Sequence, residues 1–288
     1  MLKVVPLLIA KSVAVIDISL EWPLDSAPAV HVRLEGDYRD YKMQLDFSSD
    51  SISLFQSFRG WQFPHNRRVL ITSVNVMSRN RLMFELSSSH PFPMIESTTT
   101  TDSELMGKLG IGFDSVFAQT VGNAILVPYN DDFRFISNGV RLSDYCVPDS
   151  FAYVPTVRSG FVRGHLTIDH GGRVQRGPDV DIKLDLTADR VFLPRGTFEL
   201  LSMSLLQLQI DEDGDEVPVS VYRPFIIEMN NVRILIDVED YTIIRDGRRR
   251  LNLGVTEDGI VLGRNVLRNI GIIIDYQTRQ YGFCDPIH

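Results

Sequence analysis

Leu45-Asp46-Phe47-Ser48-Ser49-Asp50-Ser51-Ile52-Ser53-Leu54 and Leu184-Asp185-Leu186-Thr187-Ala188-Asp189-Arg190-Val191-Phe192-Leu193 are two copies of one pattern, aligned without a gap. Leu, Asp, Asp and Leu recur at the same offsets, and the Phe/Leu, Ser/Thr, Ser/Ala and Ile/Val pairs agree in kind. The copies lie 139 residues apart (185 − 46), close to half of the 288-residue chain. Self-similarity at a fixed spacing is the mark of related structural units, so the chain reads as two matching halves. A Leu-Gly pair follows each copy, Leu109-Gly110 in MGKLGIGF and Leu262-Gly263 in DGIVLGRN. Each half therefore carries one apolar-Asp-apolar-Ser/Thr turn and one apolar-Gly segment downstream of it.

The rest of the chain reads as short strands. VHVRLEG, DYKMQLDFS, RRVLITSVNVM, RLMFELS, GHLTIDHGG, DIKLDLT, PFIIEMNNVRILIDV, YTIIRDGRRRLNLGV and NIGIIIDYQTRQYGF alternate apolar and polar residues between turn signals. β-Branched and aromatic content with period-two alternation and Asp-Gly or Gly-Gly turns predicts hairpins, hence an all-β protein. Helical periodicity is confined to TFELLSMSLLQLQI and a turn near GRNVLRN. Residues 87–104, rich in Ser, Thr and Pro, read as a surface connection. DEDGDE at 211–216 reads as an acidic turn, because it lacks the spacing of a calcium loop.

Composition excludes several classes. With 44% hydrophobic and 23% charged residues the chain is neither disordered nor fibrous. A net charge of −8 gives nucleic acid no electrostatic footprint. No apolar run reaches the roughly 18 residues of a membrane span. MLKVVPLLIAKSVAVID is interrupted by Lys11 and reads as a strand rather than a leader. Cys146 and Cys284 read as free thiols, and no N-x-S/T sequon occurs, so an intracellular site, cytoplasmic or within a particle, is expected over a secreted one. Basic residues are 24 Arg against five Lys, a ratio suited to protein interfaces and equally produced by nucleotide bias. The six His include no H-x-x-x-H pair, so no metal and no other cofactor is expected. Gly107, Gly110 and Gly112 lack the spacing and βαβ context of a phosphate loop and read as packing glycines. Arg248-Arg249-Arg250 after Asp246-Gly247 reads as a solvated hairpin edge, with contact to an anionic partner as the sharper alternative. His165 and Asp169 share a strand face, with nothing else converging on them.

Two acidic turns related by a twofold axis could meet at the seam between the halves. Carboxylates in hydrogen-bond reach cannot both ionise cheaply; one keeps a proton and polarises a carbonyl while the other activates water. Alternatively, each Asp accepts N–H groups of its own loop and holds the turn.

On LDFSS, LDLTA, MGKLGIGF and GIVLGRNVLRNIGIIIDYQTRQYGF, supported by VHVRLEGDYRDYKMQLD, the chain resembles the pepsin-like aspartic peptidases. The likeness covers roughly residues 28–60, 105–118 and 161–286, and its C-terminal block is the specific part. It implies a bilobal double β-barrel with pseudo-twofold symmetry and a central cleft, with lobes at 1–150 and 151–288. It also implies a dyad of Asp46 and Asp185, with Ser49 supporting Asp46. The departures are at the same positions. Phe47 and Leu186 replace the family's threonines, so the hydroxyl lock across the axis cannot form. Ser48 and Thr187 replace its glycines, and Ala188 stands where a second supporting Ser is expected. The hairpin within RRVLITSVNVMSRNRLMFELSSS has neither the Tyr nor the Gly of a flap, and the 45 residues before Asp46 leave no room for a pro-segment. The expectation is a non-catalytic pepsin-like binding or structural module of a larger assembly, taking a protein or peptide in its cleft or on Arg-bearing surfaces. The alternative is an active endopeptidase working through Asp46, Asp185 and a water.

Overall fold

The computed structural model describes residues 16–20, 28–34, 40–55, 69–78, 81–97, 105–115, 117–118, 121–129, 132–138, 140–170, 173–210 and 216–287. The chain is mostly β-strand, as the alternation predicts. The strand reading of residues 1–15 and the acidic turn at 211–215 lie outside the described residues.

A six-strand run joins the halves. It is built from β1 (Ile16–Leu20), β9 (Asp132–Ser137) and β8 (Asn123–Tyr129), then β23 (Gly271–Asp275), β24 (Gln280–Cys284) and β10 (Ala152–Arg158). The order β1-β9-β8 from one half is mirrored by β10-β24-β23 from the other, and antiparallel β8 and β23 meet at the centre, with Ile125 opposite Ile273. Both central strands are continuous apolar runs, because each is covered on two faces: Ala124 to Val127 and Ile272 to Ile274 are all buried.

In the first half, β2 (Ala29–Leu34), β3 (Tyr41–Asp46), β7 (Gly107–Gly110), β4 (Ile52–Phe55), β6 (Arg81–Ser97) and β5 (Val69–Ser78) pair in succession, and β5 returns to β2. Strand β6 makes this possible by pairing with β5 along its length and with β4 near its end. Residues 87–97 thus belong to a strand rather than to the expected surface connection. The ladder skips between Ile71 opposite Phe92 and Ser73 opposite Ser87, which leaves Pro91 in the irregularity, where its missing N–H breaks no bond.

The second half follows the same plan with one break. Here β11 (Phe161–His170), β13 (Val180–Leu184), β22 (Ile260–Leu262), β14 (Phe192–Pro194) and β21 (Gly254–Thr256) pair in order, with β12 (Arg173–Arg176) and β17 (Phe225–Met229) on β11 and β18 (Val232–Ile236) on β17. Where the first half has the single strand β6, the second has β18 and β21 separated by a helix, Val238–Tyr241, and a hairpin of β19 (Thr242–Arg245) and β20 (Arg248–Leu251). Strands β18 and β21 do not pair, so among the described residues this sheet stays open, and the expected pair of barrels is not reached in that form. Among the described residues a further pair, β15 (Leu206–Ile210) and β16 (Glu216–Ser220), joins no other sheet, and of the helix predicted around TFELLSMSLLQLQI only the first part forms, as Arg195–Ser204, residues 206–210 being strand β15 instead. One apolar cluster runs through both halves, from Ile18, Phe47 and Leu109 to Leu184, Leu262 and Phe283.

The cysteines are not free thiols. Cys146 and Cys284 form a disulfide with Cα atoms 5.7 Å apart, although 138 positions separate them in sequence. The cause is tertiary: Cys146 bridges Pro286 at the end of the chain, which places it beside β24.

Candidate functional site

Strand β3 runs parallel to β7 and delivers Asp46 opposite Gly110, with Leu45 opposite Leu109. In the second half β13 runs parallel to β22, with Leu184 opposite Leu262 and the Asp185 amide bonded to the Leu262 carbonyl, 3.0 Å. The third strand inserts alike in both, β4 antiparallel to β7 and β14 antiparallel to β22. The repeat seen in sequence is therefore a repeat in space.

The two glycines show why Leu-Gly follows each acidic turn. A β-carbon at Gly110 would lie under 3.0 Å from the carbonyl oxygens of Ser49 and Ser51, and one at Gly263 equally close to those of Ala188 and Arg190, the repeat-mates of the same serines. Only a residue without a side chain lets the strand pass that close beneath the turn. The chain beyond each glycine donates back to the turn, Gly112 N to Ser49 O at 2.9 Å and Arg264 N to Ala188 O at 2.8 Å.

Both carboxyls are held by their own loops. Asp46 Oδ1 accepts the Ser48 amide at 2.9 Å and the Ser48 hydroxyl at 2.7 Å. Asp185 Oδ1 accepts the Thr187 amide at 2.9 Å, its hydroxyl at 2.6 Å and the Ala188 amide at 3.3 Å. Ser48 and Thr187 thus each cap the Asp two residues before them. The outer oxygens face lysines: Lys108 Nζ lies 3.7 Å from Asp46 Oδ2, and Lys183 Nζ lies 2.6 Å from Asp185 Oδ2. Ser49, expected to support Asp46, instead bonds within its turn to Ser51, hydroxyl to hydroxyl at 3.2 Å.

These lysines reach their partners by different routes. Lys183 lies on β13 two residues before Asp185, which directly follows the end of that strand, whereas Lys108 comes from β7, the strand neighbouring β3. Burial pushes the Asp185 carboxyl up, but the bonds from Lys183 and Thr187 outweigh it and hold the group below the usual carboxylate range. An acid with a lowered folded pKa adds stability above its unfolded pKa near 4, and that stability is lost as pH falls through the folded value. Lys183→Met is accordingly expected to lower unfolding free energy at pH 7 by about 1–3 kcal/mol, less than for a fully buried pair because the lysine is partly exposed. The acid-side loss should shrink in the same variant. Urea unfolding of both proteins at pH 7 and near pH 3 reads both effects, and an unchanged midpoint at pH 7 would reject the pairing.

The turns approach each other through Gly160, at the β10–β11 turn. Its Cβ position lies 2.9 Å from Ser48 Cα, and its carbonyl accepts the Leu184 amide, 2.8 Å, one residue before Asp185. Its φ of +74° requires glycine at that turn. Around this point the seam is densely bonded. Tyr281 Oη accepts the Gly160 amide at 2.9 Å, and the Tyr281 ring packs on Phe47 and Phe113 at centroid distances of 5.6 and 4.9 Å. Phe47 and Leu186, which follow the two aspartates, are both buried in the apolar core. Asp50 Oδ1 accepts the Ser159 hydroxyl at 3.2 Å and the Asp114 amide at 3.0 Å, while Arg279 clasps Asp114 with two bonds, 2.7 and 2.9 Å. Asp50 and Arg279 were not singled out in the sequence; the recurrence of Asp50 as Asp189 was the available signal.

Elsewhere, His165 is not isolated. Its ring nitrogens face Asp179 Oδ1 at 3.0 Å and Glu228 Oε2 at 3.1 Å, with Arg176 and Arg233 beyond them. The hairpin closing β5 on β6 has its turn residues 79–80 outside the described residues. Among the described residues, no cluster of three or more His, Cys, Asp or Glu side chains could hold a metal, and no helix is long and apolar enough to cross a membrane. No known protein family matches the chain, and no curated protein matches it.

Proposed function

We propose that the chain is a two-lobed pepsin-like β protein that serves as a non-catalytic binding or structural module of a larger protein assembly. The observation that carries this reading is the engagement of each carboxyl by its own turn and by a lysine, Lys108 at Asp46 and Lys183 at Asp185. A shared-proton dyad needs one acid kept neutral at working pH. At Asp185 the bonds from Lys183 and Thr187 oppose that, holding the carboxyl down rather than up. The mirrored strand order and the repeated glycine crossings support a pepsin-like ancestry.

A second reading, an aspartic endopeptidase using Asp46, Asp185 and a water, is favoured by the convergence of the two turns on Gly160. Digestion of an unfolded protein at acid pH, with and without a statine-type inhibitor, separates the two. The module is expected to give no inhibitor-sensitive cleavage, and Asp46→Asn and Asp185→Asn should change nothing in that assay. Inhibitor-sensitive cleavage abolished by either substitution would establish the peptidase instead. On compartment, the missing sequons favour an intracellular site, whereas the Cys146–Cys284 bridge favours an oxidising one.

A further inference from the structure

Among the described residues the β19–β20 hairpin has no counterpart in the first half and pairs with no other strand. Its two-residue turn, Asp246 and Gly247 with φ of 56° and 72°, suits the twist of a tight hairpin. Ile243 is 43% and Ile244 68% exposed, and as neighbours on a strand they point to opposite faces, so the hairpin shows apolar surface on both sides. Arg245, Arg248, Arg249 and Arg250 surround them, all exposed. Exposed isoleucine framed by arginine is the composition of a protein interface rather than of an ordinary solvated edge.

Beside the hairpin lies a cavity of about 520 Å³ between β18, the Val238–Tyr241 helix and the end of β24. Asp237, Glu239, Asp240 and Asp285 line it against one cation, Arg233, and that arginine is engaged by Glu228 at 2.9 Å. Leu235, 54% exposed, adds an apolar wall. Burial, opposed by the bond from the Asp237 amide and reinforced by the charges of Asp237 and Glu239, pushes the Asp240 carboxyl up to about 6. Four lining carboxylates against one lining cation leave the recess net acidic, with Glu239 offset in part by Arg249 of the hairpin. Hairpin and cavity adjoin, since Arg249 Nη1 lies 3.3 Å from Glu239 Oε1 on the cavity side of the helix.

We propose that the β19–β20 hairpin and the acidic cavity beside it form one self-complementary docking surface for a second copy of this chain. A surface that carries a basic projection next to an acidic recess meets its own copy about a twofold axis, with each hairpin reaching the other's cavity, and such an isologous contact closes at a dimer. Charge complementarity fixes the orientation, and Ile243, Ile244 and Leu235 supply the apolar contact. Cavities of ~300–1,000 Å³ hold side-chain-sized groups, so the recess has room for arginine side chains. This inference does not depend on whether the interlobe carboxyls are catalytic, and its failure would leave the preceding proposal as it stands.

The test is a charge exchange read by sedimentation velocity over a range of concentrations. One variant carries Arg248→Glu and Arg250→Glu; the other carries Glu239→Lys and Asp285→Lys. All four side chains are exposed, so both variants are expected to fold, and circular dichroism checks this. The wild type should dimerise, more weakly at high salt, and each variant alone should self-associate at least ~10-fold more weakly. Mixing the two variants should restore a dimer of wild-type strength, because each hairpin then meets a cavity of opposite sign. A monomeric wild type, dimers that persist in either variant, or a mixture that stays monomeric would each overturn the proposal.

Discussion

Breaking the Cys146–Cys284 bridge is expected to lower the unfolding free energy by about 2–5 kcal/mol. The bridge ties positions 138 residues apart, nearly half of the chain, and so removes much of the freedom of the unfolded state. In the chain-entropy account a loop of about 100 residues is already worth ~4.7 kcal/mol. Both sulfurs are buried among Ile125, Val127, Ile136 and Ile273, so reductant should act slowly on the native protein and readily after unfolding. A serine at either site would bury a hydroxyl in this cluster, so the cleaner variant is Cys146→Ala with Cys284→Ala. The urea midpoint of that variant, compared with the oxidised wild type, gives the size of the effect. Alkylation of the unfolded wild type before and after reduction counts the thiols directly. Two labelled thiols without reduction, or midpoints that coincide, would show the bridge to be absent or idle.

Gly263→Ala and Gly110→Ala are each expected to lower stability by about 3 kcal/mol or more, the upper range for overpacking, because the added carbon meets backbone rather than a movable side chain. The colliding atoms are the carbonyl oxygens of Ala188 and Arg190 in one half and of Ser49 and Ser51 in the other. Those carbonyls belong to the acidic turns, so the turn or the strand beneath it must shift. Gly196 provides the contrast: it sits in the first turn of the Arg195–Ser204 helix with open space around its Cβ position, and Gly196→Ala should raise stability by roughly 0.5–1 kcal/mol. Urea unfolding of the three variants orders them. Alanine tolerated at Gly110 or Gly263 would mean that the strand does not cross closely under the turn.

Legibility of the site differed with distance along the chain. The capping of Asp46 by Ser48 and of Asp185 by Thr187 spans two residues, and the option of an Asp holding its own turn was open from those residues alone. Lys183 could have been found the same way, since it lies two residues before Asp185. Lys108 could not, because it reaches Asp46 only through the parallel pairing of β3 with β7. The partners of His165 are hidden for the same reason: Asp179 and Glu228 come from positions 14 and 63 residues away.

Local chemistry settles local questions. Alternation of side chains, turn residues such as Asp246-Gly247 and the repeated acidic decapeptide determined by themselves that the chain is β-rich, where several of its strands lie and that its halves match. Only the tertiary structure decided that the cysteines are bonded, that among the described residues the second sheet stays open where a helix and hairpin part β18 from β21, and that lysines stand at both carboxyls. Each of these depends on which distant segments become neighbours, and that is set by packing of the whole apolar core rather than by any short stretch of residues.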